Sequence, residues 1–321
     1  MNMQKITFLD HDSLNRDDLD LSCLDIPGTS LQLHASTGNE QRLEHIHDAS
    51  IIITNKVVID GPVIEQCPSL RLICVAATGY NNVAIHAAQQ VGITVCNVTR
   101  YATPSVVEHV FMLILNLQRR LDAYRKAIAT GDWTRSEQFC LLDPPFAELS
   151  GKTLGIIGYG ELGSAVARMG ECFGMRIMIA ERPGSTRVRP ERVSPETLYA
   201  EADIISLHCP LADNTRNLID SEALAQMKPT ALLINAARGG IVDEQALADA
   251  LQQGVIAGAG VDVLTEEPPV NGNVLLDETI PNLIVTPHIA WASRASRQRL
   301  IDAVADNISA WLSGAPHNVI V

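Results

Sequence analysis

The sequence predicts an α/β protein made of two doubly wound parallel sheets, and three observations predict it. Apolar strand-like runs alternate with helix-like stretches along nearly the whole chain. A glycine fingerprint, Gly158-Tyr159-Gly160-Glu161-Leu162-Gly163, lies between a strand-like run and a helix-like one. About half of the 321 residues precede it, enough for a separate sheet with its own core.

Before residue 100 the strand candidates are Ile6–Leu9, Leu31–Ala35, Ser50–Thr54, Leu70–Ala76 and Ile93–Cys96. Glu40–His47, Pro62–Gln66 and Val83–Gln90 read as helices between them. The N-terminal run from Met1 to Asp10 resembles a first strand and carries no signal-peptide core. A long helix is then expected from Thr103, a suitable N-cap, and Pro104, suited to a first turn, as far as Gly131. Trp133 to Leu149, with Asp143-Pro144-Pro145, reads as an irregular connecting arm.

The fingerprint has the context that gives it meaning. Lys152–Ile157 precedes it as a strand, and an amphipathic helix with Leu162, Val166, Met169 and Phe173 follows, stopped by Gly174. A second strand, Met175–Ala180, ends at Glu181, where a carboxylate can bind ribose hydroxyls. Strands over 203–208, 231–236, 257–263 and 283–286 bring the count to six, a full dinucleotide-binding sheet. Asp220–Met227 and Glu244–Gln253 are the helices between them. The last helix, Ala292 to Leu312, comes too late for another crossover and is expected to return to the first sheet. The expected organisation is a Rossmann dinucleotide-binding domain, 101–292, inserted into a discontinuous flavodoxin-like substrate domain, 1–100 with 293–321.

Composition excludes several classes. A net charge of -13 argues against a nucleic-acid surface, which needs clustered Lys and Arg. The apolar stretch Val110–Leu117 is too short to span a bilayer. Seven scattered cysteines without a CxxC pair read as small buried residues of a reducing compartment, with no metal role, so a cytoplasmic protein is expected.

Ligands of parallel sheets bind beyond the carboxyl ends of the strands. Arg238 follows the strand ending at Ala237, Glu267 follows the one ending at Val263, and His288 follows Thr286-Pro287. Taken singly, each has an ordinary reading as a rim charge, a solvated loop acid or a packing histidine. Beyond three strands of one sheet they suggest joint chemistry. Arginine offers a fork for a carboxylate, histidine exchanges protons near neutrality, and a neighbouring carboxylate favours the imidazolium. The set suits hydride exchange between a nicotinamide and a 2-keto or 2-hydroxy acid.

On Gly158–Gly163, Asn235-Ala236-Ala237-Arg238-Gly239, Asp262-Val263 with Glu267-Pro268, and Thr286-Pro287-His288, the chain resembles the D-2-hydroxyacid dehydrogenases along essentially its whole length. Within them it is most similar to the bacterial glycerate dehydrogenases, through Ala76–Val83, Phe139–Asp143 and Pro287–Ser293. The resemblance implies that Arg238 orients the substrate, His288 is the acid–base and Glu267 tunes it. It further implies that Ala77-Thr78-Gly79 is a substrate loop. Cofactor contacts are implied for Thr103, Val106, Glu161, Leu162, His208, Cys209, Pro210, Thr215, Ala236, Ala237, Asp262 and Ala290, beside Gly158, Gly160, Gly163, Glu181, Arg238 and His288. A homodimer contact through the long helix and the arm is implied too.

The implied reaction is NADH-dependent reduction of hydroxypyruvate to D-glycerate, with glyoxylate also accepted. Reduction of phosphohydroxypyruvate or pyruvate, or a non-catalytic NAD-sensing protein of the same fold, are the alternatives. Glu181 stands where relatives more often have Asp, and Arg182 follows it, so NAD is expected with some tolerance of NADP.

Overall fold

A computed structural model describes residues 3–185 and 187–321; Met1 and Asn2 of the expected first strand lie outside the described residues. The chain divides into two compact units, one comprising residues up to 102 together with 291–321, the other 103–290.

The first unit holds a parallel sheet of β1 (Gln4–Phe8), β2 (Thr29–Leu33), β3 (Ile51–Thr54), β4 (Leu72–Val75) and β5 (Thr94–Cys96). Their spatial order, β2-β1-β3-β4-β5, is that of flavodoxin. The central strands Ile51-Ile52-Ile53-Thr54 and Leu72-Ile73-Cys74-Val75 are buried on both faces, which is why they read as continuous apolar runs. One face is covered by the short helices α1 (Arg42–Ile46), α2 (Gly61–Glu65) and α3 (Ile85–Gln90), with Ile46, Val63, Ile64 and Ala88 turned inward. The other takes the C-terminal helix, whose Leu300, Ile301, Val304 and Ile308 pack on Ile6, Phe8, Ile51 and Leu72. The chain's end adds to β5: Val95 N donates to Val321 O and Ile320 N to Val95 O.

The second unit contains β6 (Thr153–Ile157), β7 (Arg176–Ile179), β8 (Ile204–Leu207), β9 (Leu232–Asn235), β10 (Gly258–Val261) and β11 (Leu283–Val285), all parallel, in the order β11-β10-β9-β8-β6-β7. A bridge from Ala180 to Val193 extends the sheet beyond β7. In order of appearance the strands then run 3-2-1-4-5-6-7, the dinucleotide-binding order with one strand added.

The segment expected as one helix from Thr103 to Gly131 is two, α4 (Thr103–Gln118) and α5 (Leu121–Ala129). Arg120 between them is left-handed, φ 55°. Tertiary contacts hold the break. The Arg119 guanidinium lies 4.0 Å from the Phe146 ring centre, and Tyr124 donates its hydroxyl to Pro144 O at 2.9 Å. Thr103, expected as a cap, instead directs its hydroxyl at Glu161.

The remaining helices are α6 (Glu161–Cys172), α7 (Pro195–Glu201), α8 (Ser221–Ala225), α9 (Glu244–Gln252) and, in the first unit, α10 (Arg294–Leu312). Asp220, Asp243 and Ser293 cap α8, α9 and α10 by accepting from the third residue onward, which fixes where each strand-end loop turns into its helix. Among the described residues no helix is long and apolar enough to cross a membrane.

Candidate active site

The fingerprint forms the tight turn from β6 to α6. Gly158 has φ 94°, and a Cβ there would overlap the backbone of His208 and Cys209. A Cβ on Gly163 would overlap Gly158 O, so this glycine lets α6 lie against the end of β6. Gly160 differs: a Cβ there meets nothing within 4 Å. The absence of a side chain at Gly160 keeps open the space before the amides of α6, where a pyrophosphate fits. The turn therefore suits a dinucleotide on geometry as well as on sequence. Glu161 and Leu162 begin α6, and Glu161 receives the Thr103 hydroxyl.

His208 leaves β8 opposite Gly158. Its Nε2 lies 2.9 Å from Ser206 Oγ, and burial pushes its pKa down to about 4, so the ring is neutral at pH 7. Burial likewise pushes the Cys209 thiol up to about 11, which makes it an inert wall. Thr215 accepts from Ala212 N and donates to Pro210 O, each at 2.7 Å, closing the loop that carries Pro210.

Glu181 ends β7 as expected, yet it is only 3% exposed. Its carboxylate accepts from Arg182 N, Arg189 N and the Arg189 guanidinium. Arg189, a residue sequence reasoning did not single out, holds this acid well below the usual carboxylate range.

Beyond β9, buried Asn235 shapes the turn: its Oδ1 accepts from Ala237 N and its Nδ2 donates to Arg238 O. Arg238 emerges exposed from this turn, while Ala237 is buried behind it. The next residue, Gly239, lies against Leu264 so closely that a Cβ would overlap the Leu264 carbonyl. Leu264 N donates to Glu267 Oε1 at 2.8 Å, and Glu267 Oε2 lies 2.6 Å from His288 Nδ1. Contacts thus link the loops after β9, β10 and β11, three neighbouring strands, and set the turn that carries Arg238 and Gly239 against the loop that carries Glu267, which in turn holds His288.

His288 has φ 54°, and its backbone is held from behind by Asp262. This acid is 1% exposed. Its backbone carbonyl accepts from His288 N, and its side chain from Thr286 Oγ1, Ile289 N and Ala290 N. Burial opposes its charge, but these bonds and His109 outweigh that and lower its pKa. His109 Nε2, from α4, lies 2.9 Å from Thr286 Oγ1 and 3.4 Å from Asp262 Oδ1. Asp262 therefore anchors the histidine loop. Buried Val106 and Ser105 sit on the same helix, and Ser105 donates to Ala290 O at 2.7 Å. The signal for His109 was a lone imidazole within an apolar helix face, which the periodicity passed over.

In the first unit, Ala77-Thr78-Gly79 leave β4 as a tied turn. Thr78 Oγ1 donates to Val98 O at 2.9 Å, and Asn97 Nδ2 donates to Thr78 O at 2.8 Å. These bonds fix the loop's backbone relative to the end of β5.

Known proteins match this chain in sequence and in fold. Residues 111–290 match the family model "D-isomer specific 2-hydroxyacid dehydrogenase, NAD binding domain". The chain is 43% identical to a glycerate dehydrogenase of Methylorubrum extorquens, over 99% of both chains. It is 36% identical to a hydroxypyruvate reductase of Blautia hydrogenotrophica, over 98% of this chain and 99% of that one. A D-lactate dehydrogenase of Aquifex aeolicus, solved with NAD and lactic acid, superposes with a TM-score of 0.81 at 27% identity, over 97% of this chain and 96% of that one. Two parallel-sheet units, with the family match and these relatives, define an NAD-dependent oxidoreductase. The chain belongs to the D-isomer specific 2-hydroxyacid dehydrogenase family.

Proposed function

We propose that this chain reduces hydroxypyruvate to D-glycerate with NADH, and takes glyoxylate as a second substrate. The observation that carries the reading is the Glu267–His288 pair, 2.6 Å apart and linked through Leu264 to the Arg238 turn. Gly158, Gly160, Gly163 and the start of α6 hold the dinucleotide, which supplies hydride when bound. Arg238 takes the substrate carboxylate in its fork and polarises the adjacent carbonyl. With Nδ1 held by Glu267, His288 passes a proton through Nε2 to the carbonyl oxygen as C2 becomes a hydroxyl carbon. Glu267 stabilises the charged ring before the transfer. Asp262, with Thr286 and His109 behind it, keeps that ring in place.

The relatives' names support the substrate class, glycerate and hydroxypyruvate being the two sides of one reaction. Further support comes from the chemistry of the site, which needs only a carboxylate beside a carbonyl. Following NADH absorbance with hydroxypyruvate, glyoxylate, pyruvate and phosphohydroxypyruvate tests it. We expect hydroxypyruvate to give the highest kcat/KM; no turnover of hydroxypyruvate, with NADH bound, overturns the reading.

We also infer a homodimer built on α5 and the arm. Their apolar side chains stand out in solvent, Phe139 at 90% and Leu142 at 75% exposure, and a second copy burying the same face on both sides would cover them. A monomeric mass in sedimentation at micromolar concentration would remove that inference. We infer a cytoplasmic location as well; the unpaired cysteines support it, with Cys67, Cys74, Cys96 and Cys209 buried as small apolar residues. Routing of the full chain to an oxidising compartment in fractionated cells would refute it.

A further inference from the structure

We propose that Arg189 sets the choice between the two nicotinamide dinucleotides, by covering Glu181 and presenting its guanidinium at the ribose position, so that NADPH is accepted alongside NADH. The inference rests on the cofactor reading of this site and is independent of which keto acid is reduced.

Discrimination against a 2′-phosphate ordinarily comes from the acid at the end of the second strand. That acid accepts the ribose hydroxyls and repels the phosphate. Both functions need an available, charged carboxylate, and here it is neither available nor uncompensated. A carboxylate has about four lone-pair positions. Glu181 Oε1 accepts from Arg182 N at 2.8 Å and from the Arg189 guanidinium. Oε2 accepts from Arg189 N at 3.0 Å and Arg189 Nε at 2.9 Å. No position is left for a ribose hydroxyl unless the guanidinium withdraws. Exposure tells the same story: the side chain of Glu181 is 3% exposed and that of Arg189 46%. The surface at the end of β7 is therefore the arginine.

The ion pair neutralises the acid's repulsion of a phosphate. The guanidinium keeps an exposed edge, and Arg182 stands exposed next to Glu181. A 2′-phosphate meets both without displacing anything, whereas a ribose hydroxyl must compete with a bidentate ion pair. Arg182, noted from the sequence as a welcome for the phosphate, thus has a stronger partner eight residues beyond Glu181.

Titrating the wild-type protein separately with NADH and NADPH, and reading the fluorescence of the reduced nicotinamide with no keto acid present, tests this. The two Kd values are expected to agree within about tenfold, the worth of one charge-assisted hydrogen bond. Arg189→Leu should weaken NADPH by about tenfold or more while NADH stays the same or tightens. Arg189→Lys, which keeps a point charge, should hold NADPH within about threefold of wild type. A wild-type preference for NADH well beyond tenfold overturns the proposal. So does an Arg189→Leu protein whose NADPH affinity is unchanged, or an Arg189→Lys protein that loses NADPH as the leucine variant does. The wild-type comparison needs no variant to fold. Because binding is read without substrate, failure to reduce hydroxypyruvate leaves the test standing.

Discussion

One carboxylate group serves both the backbone and the histidine at the centre of the site. Glu267 Oε1 accepts from Leu264 N at 2.8 Å, while Oε2 of the same side chain lies 2.6 Å from His288 Nδ1. The backbone bond restrains the carboxylate plane, so the imidazole is oriented by a group that is itself held. His288→Ala removes the proposed proton carrier and is expected to lower kcat by about 10²- to 10⁴-fold. Glu267→Gln keeps the shape and weakens only the charge-assisted bond, so a loss of about tenfold is expected. Neither residue supports the dinucleotide turn, so both variants should bind NADH within about threefold of wild type. Stopped-flow turnover beside NADH titration checks this; a His288→Ala enzyme of near-normal kcat would remove His288 from the mechanism.

The strand-end residues were legible because they break a pattern. Arg238 follows directly on an apolar run, and Glu267 and His288 come within a few residues of one, where a parallel sheet binds its ligands. The strands themselves read clearly since β3, β4 and β9 are buried on both faces and carry almost no polar residue. Arg189 was not legible. It is one of several arginines in the loop after Glu181, and only the fold of that loop selects the one that closes on the acid. The break at Arg120 was hidden for a related reason. Neither Gly nor Pro marks it, and what holds it is the arm's Phe146 and Pro144, more than twenty residues away. His109 was masked by the apolar periodicity of its own helix, and its role appeared only with Asp262 and Thr286 in contact.

Gly160 offers a test that separates binding from folding. Its φ of -95° is open to any residue, and a Cβ there touches nothing in the protein. Gly160→Ala should therefore melt within a few degrees of wild type, since a surface change without lost contacts costs about 0.5 kcal/mol at most. The same methyl stands before the α6 amides and should weaken NADH by about tenfold or more. Gly158→Ala, forced against His208 and Cys209, should lose stability as well. Thermal melts with NADH titration decide the matter; an alanine at 160 that leaves NADH affinity intact would move the pyrophosphate away from this turn.

An ion pair is among the contacts that fasten the N-terminal segment to the last helix, beside Arg294 Nε to Asp18 O and Gln298 Nε2 to Asp20 O, and its pH dependence has a definite sign. Arg297 Nη1 and Nη2 reach Asp18 Oδ1 at 2.8 Å and Oδ2 at 2.6 Å, and the same guanidinium donates to Leu14 O at 2.7 Å. The Arg297 hydrogen bonds pull the Asp18 carboxyl from its usual 3.8 down to about 2. The unfolded chain, with the ordinary value, takes up the proton first as pH falls. The pair's contribution is thus complete above about pH 4 and is lost as pH falls through about 2. Asp18→Asn removes that contribution at every pH. The difference in Tm between wild type and Asp18→Asn should be constant from pH 7 to about 5 and shrink steadily between about 4 and 2. Calorimetric scans across that range are the check. A gap equally large at pH 2.5 and pH 6 would mean that the asparagine disturbs packing near Leu14, and that the charge on Asp18 does not hold the segment to α10.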